Sequence, residues 1–163
     1  MSAHIQTITK TAEKFESAHP EIKGRYQIKE NQECATFYIE GSDDGFGITL
    51  EEAGADEFIL HAGPIHTHVF RDEGESDEDF VKDQFYHIRS LLSPLTRIVE
   101  HRSGSSAYKW TLQYLHDEGW ESGETMGLLF YNYFGRRSQR VLQNHLIEPP
   151  DANKASHSTA DRA

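Results

Sequence analysis

The spacing of apolar residues changes three times along this chain, and each change limits what the segment can become. Over residues 3 to 18, Ile5, Ile8, Ala12 and Phe15 recur at helical spacing. His19-Pro20 closes that stretch, because proline disfavours helical geometry in the residue before it. From Arg25 to Phe70 the apolar period becomes two, as a half-buried strand requires. "RYQIKE", "ATFYIEG", "GFGITLEE" and "EFILHAG" are divided by clusters such as "SDDG" and "AGAD", whose Gly and Asp suit tight turns. Four or five short antiparallel strands are expected there.

Helical spacing returns with Phe80, Val81, Phe85, Ile88, Leu91 and Leu92. Ser76, with Asp79 three positions on, resembles a capping box, and the acids around it suit the positive end of the helix dipole. Ser93-Pro94 stops the helix and period two resumes. "LTRIVEHR" and "AYKWTLQYL", joined by "SGSS", read as a hairpin with Tyr108, Trp110, Leu112 and Tyr114 on one face and Lys109, Thr111 and Gln113 on the other. "HDEGWESGE" reads as a loop and "TMGLLFYNYF" as a strand. "RVLQNHLI" reads as a strand too, although Val141, Leu142, His145 and Leu146 fit a helix nearly as well, so residues 138–147 stay open between the two. The expected class is α+β: two helices packed on curved antiparallel sheet, in the order α-β(4-5)-α-β(4). The similar order of the two halves hints at duplication, without a residue-level repeat. One domain is expected over 1–148, followed over 149–163 by a disordered tail too polar to bury apolar surface.

Charge and cysteine usage bound the partners. A net charge of −11 repels phosphate backbones and anionic membranes, so neither nucleic acid nor membrane is expected. With one cysteine, Cys34, no intrachain disulfide or four-thiolate zinc site can form. The N-terminus lacks a basic start and an apolar core like those of a signal peptide, and no apolar stretch approaches the roughly 20 residues of a membrane helix. A cytoplasmic setting is expected.

One stretch gathers metal-ligating residue types. In "HAGPIHTHVFRDE", His66 and His68 sit two apart on a strand and project from one face, where two imidazoles can share a transition-metal ion. His61 lies across the Gly63-Pro64 turn, and Glu73 could add a carboxylate. The string from His66 to Glu73 resembles part of the first metal-binding motif of cupins over those eight residues alone. It lacks the glycines that flank that motif, and a helix follows where a jelly roll would continue in strands, so no family is assigned. The competing reading places Ile65, Thr67 and Val69 toward the core and leaves both histidines in solvent. The acids of "DEGESDED" lack calcium-loop spacing and suit the start of the helix.

No nucleophile elbow, phosphate-binding loop or dinucleotide fingerprint is present, and Cys34 sits in an apolar pattern, so enzymatic activity is not the expectation. The leading expectation is an acidic protein-binding module, with a homodimer as one form of it. Its surface would comprise Tyr131 and Tyr133, with Trp110, Trp120, Arg136 and Arg137 nearby, since aromatic and arginine side chains favour interfaces. The first alternative is a metal-binding protein or metal-dependent enzyme using His61, His66, His68 and Glu73. The second is a carrier of a small hydrophobic ligand, held between the curved sheet and the helix at 77–92. No organic cofactor is implied.

Overall fold

The computed structural model describes residues 4–31, 34–128 and 134–149. Helix α1 (Ile5–Ala18) buries Ile8, Ala12 and Phe15, the stripe its spacing announced. After a short 3-10 turn over Pro20–Ile22 come β1 (Tyr26–Glu30), β2 (Ala35–Ile39), β3 (Ile48–Gly54), β4 (Glu57–Ala62) and β5 (Ile65–Phe70). These five form one antiparallel meander in sequence order. Helix α2 (Asp77–Leu92) follows, then β6 (Thr96–Ser103), β7 (Ser106–His116), β8 (Gly119–Gly127) and β9 (Arg137–Gln143). The second sheet is also antiparallel but ordered β8-β7-β6-β9, because β9 returns to pair with β6. The class is therefore α+β, with helices and strands in the expected order. The two halves repeat the element order and not the strand order.

The start of α2 shows the expected cap: Ser76 Oγ accepts from the Asp79 backbone N–H at 3.2 Å and donates to Asp79 Oδ2 at 2.7 Å. Other acids of this segment also have structural roles. Arg71 pairs with Asp56 at 3.3 Å and with Asp77 at 2.5 Å, tying the end of β5 to the β3–β4 turn and to the first turn of α2. Its guanidinium lies 5.3 Å from the centre of the Phe80 ring.

One buried cluster draws on both helices and both sheets, from Ile8 and Phe15 through Phe37, Leu50 and Phe58 to Phe85, Leu92, Ile98 and Leu112. Phe85 lies edge-on to Phe15 and to Phe37, at 5.5 and 5.0 Å between ring centres, and so joins the two helices to the first sheet. Burial of each such ring stabilises the fold by about 1.5–3 kcal/mol. Asn144, fully buried just past β9, ties the halves together. Its Oδ1 accepts from the N–H groups of Ser42 and Phe46, and its Nδ2 donates to the carbonyls of Phe46 and Leu91.

Two expectations change. The segment read as a loop, "HDEGWESGE", is largely β8, pairing from Gly119 to Gly127 along β7. Its polar side chains hid it: an edge strand is held by backbone bonds and needs no apolar alternation. The ambiguity over residues 138–147 resolves toward strand, since Arg137–Gln143 pairs along β6. Of the strand read from "TMGLLFYNYF", residues 129–133 lie outside the described residues, as does the tail from 150 onward. Among the described residues, no helix is long and apolar enough to cross a membrane.

Candidate functional site

Both sheets turn one face toward the shared core and leave the other outward. On the first sheet the inner face carries Phe37, Ile48, Leu50, Phe58 and Ile65, all buried. Strict alternation then puts His61, His66 and His68 outside. Gly63, at φ +54°, leads the two-residue turn between β4 and β5 and sets His61 directly opposite His66. The rings form a row, with centres 5.8 Å apart for His61–His66 and 5.7 Å for His66–His68. His68 and His66 are exposed, and Val69 and Thr67 behind them are half-buried.

Carboxylates that the sequence did not single out flank this row. Glu57 Oε1 lies 2.6 Å from His68 Nδ1, and Glu51 Oε2 lies 3.7 Å from His61 Nε2. Glu73 is in the exposed turn that precedes α2. Among the described residues, no group of three or more His, Cys, Asp or Glu side chains is placed to hold a metal ion. Cys34 is half-buried, with its Sγ 3.2 Å from Asn31 Oδ1.

The outward face of the second sheet has a different chemistry. Register places Arg97, Val99 and His101 of β6 beside Gln143, Val141 and Gln139 of β9 on one side, and beside Gln113, Thr111 and Lys109 of β7 on the other. A groove of about 330 Å³ runs over Arg97, Val99, His101, Lys109, Thr111, Gln113 and Gln139, and among the described residues no carboxylate lines it. Arg97 is held in place twice: its guanidinium lies 4.0 Å from the centre of the Trp120 ring, and its Nε donates to Gln113 Oε1 at 2.8 Å. Tyr108, in the bulge that interrupts the β6–β7 register, meets the Arg137 guanidinium at 5.0 Å and His101 at 6.3 Å. Burial, and then the charge of Lys109, lowers the His101 pKa below its usual 6.5. Leu115 and Val141, 40% and 46% exposed, add apolar surface to the same face.

The residues expected to form a partner surface are thus divided. Trp120 and Arg137 share the outward face of the second sheet. Trp110 is on the inward face, packed against the core, with its Nε1 donating to Glu100 Oε2 at 3.1 Å. Arg136 is exposed just before β9, and its carbonyl accepts from the Gly104 N–H. Tyr131 and Tyr133 lie outside the described residues. Sequence pattern alone could not assemble this face, because Arg97 and Arg137 come onto one face only through the non-sequential β6–β9 pairing, at opposite ends of that ladder.

A cleft of about 170 Å³ lies where a hydrophobic-ligand pocket was expected, between β4–β5, α2 and β7. Leu60, Ile65, Val69, Leu91 and Leu112 line it, together with Tyr114 and Glu124. The Tyr114 hydroxyl donates to Glu124 at 3.1 Å, and burial followed by that carboxylate raises its pKa. The cleft is smaller than the roughly 300 Å³ at which ordinary small-molecule sites begin. Comparisons with protein-family profiles, with curated proteins and with solved structures give no match.

Proposed function

We propose that this chain is a protein-binding module whose docking surface is the outward face of the second sheet, and whose partner presents carboxylates. The observation that carries this reading is a groove with Arg97 and Lys109 in its lining and no carboxylate among the described residues that line it, on a chain of net charge −11. Uncompensated cations on an acidic protein form a local field of opposite sign, which steers and orients an acidic partner. Arg97 is already fixed by its ring and amide neighbours, so less side-chain freedom is lost when it meets a carboxylate. The exposed Leu115 and Val141 supply the apolar part that protein interfaces combine with arginine.

Single-stranded nucleic acid is the competing ligand for a face of cations and aromatic rings. Two features favour protein. The net charge opposes an extended polyphosphate, and the Trp120 and Tyr108 rings are approached by the guanidinium groups of Arg97 and Arg137. A second copy of the chain is itself an acidic partner, with six carboxylates between Asp72 and Asp79, so a homodimer is the narrower form of the proposal.

Titration calorimetry with poly-L-glutamate and with oligothymidylate tests the reading. The expected result is salt-sensitive binding of polyglutamate, weakened at least tenfold in the Arg97→Glu/Lys109→Glu variant. Equal binding by wild type and variant, or tighter binding of the oligonucleotide, overturns it. Light scattering then assigns the partner: a dimer that dissociates in the variant is self-association, and a monomer in both points to a different acidic protein.

A further inference from the structure

On the outward face of the first sheet, we infer that His66 and His68 form a binding site for a divalent transition-metal ion of the zinc, nickel or copper(II) class, oriented by Glu57. Zinc–imidazole bonds are about 2.0–2.1 Å long and a ring centre lies roughly 1.2 Å behind its nitrogen, so two imidazoles on a tetrahedral ion have centres about 5.3 Å apart. The His66–His68 ring-centre separation of 5.7 Å is within half an ångström of that distance.

The second argument is the carboxylate behind the ring. A histidine that binds a metal through one nitrogen usually donates the N–H of the other to a carboxylate, which fixes the tautomer and makes the ligating nitrogen more basic. Glu57 Oε1 stands 2.6 Å from His68 Nδ1, and this leaves Nε2 as the ligating atom. His61, the ladder neighbour of His66, has Glu51 3.7 Å from its Nε2, beyond hydrogen-bond distance, and is not counted among the ligands. Imidazole donors select transition metals over calcium or magnesium, and the net charge of −11 raises the local concentration of any cation. This site shares no residue with the proposed docking face, and either can fail without the other.

The test is calorimetric titration of the full chain with zinc chloride and with nickel chloride, with circular dichroism to confirm that each variant is folded. The expected result is one ion per chain, lost in His66→Ala/His68→Ala. Glu57→Gln, which removes no ligand, should weaken affinity roughly 10- to 100-fold. Unchanged stoichiometry in the double variant overturns the proposal. So does a Glu57→Gln chain that binds as tightly as wild type, which would mark the row as an adventitious surface pair of histidines.

Discussion

Asn144 is the residue on which the joint between the two halves depends most directly. Four backbone groups from two segments, the 41–47 loop and α2, converge on one fully buried amide in the chain after β9. Asn144→Ala leaves the Phe46 and Leu91 groups buried without that partner, and the expected loss is roughly 3 kcal/mol, read as a lower denaturant midpoint. Nothing in the sequence marks this asparagine, since its partners at Ser42 and Phe46 are about a hundred positions away and only the β6–β9 pairing brings them close. At His101 a proton titration tests the electrostatics of the proposed docking face. Its folded pKa lies below the ordinary 6.5, so its contribution to stability is whole above that pH and declines as pH falls through it. Lys109→Ala removes the second cause of the depression, and NMR titration of the His101 ring should show the pKa rise. An unchanged value would mean that Lys109 does not act on this groove.

Among the elements, α2 was the most legible and β8 the least, for physical reasons that differ. In α2 the cap, the apolar stripe and the Ser93-Pro94 stop all agree, and the helix begins and ends where they place it. Ser76→Ala should cost about 1 kcal/mol of stability, measured by thermal or denaturant unfolding; no change would assign the cap to the acids alone. β8 has no apolar alternation to detect. Its side-chain bonds to β7, such as Gln113 to Ser122 and Tyr114 to Glu124, are polar and partly exposed. The histidine row lies between these cases. The Gly63-Pro64 turn sets a register that can be counted outward from Ala62 and Ile65 to His61 and His66, and alternation then places His68 on the same face. Glu57, diagonal to His68 across the ladder, emerges only once side chains are placed.

For the whole molecule, two antiparallel sheets joined through a shared core leave two outward faces of different character. The first sheet presents imidazoles with carboxylates beside them, and the second presents cations over a groove that has none among the described residues. The acidity of the whole chain therefore does not describe the second face. Its field is local, set by β6, β7 and β9 together, and no single segment of sequence shows it. The most direct measurement is chemical-shift mapping of the ¹⁵N-labelled full chain with poly-L-glutamate at low and moderate salt. The account predicts perturbations concentrated at Arg97, His101, Lys109 and Gln139, fading as salt rises, with the His61–His68 row unmoved. Perturbations spread evenly over the surface, or confined to the first sheet, would contradict it.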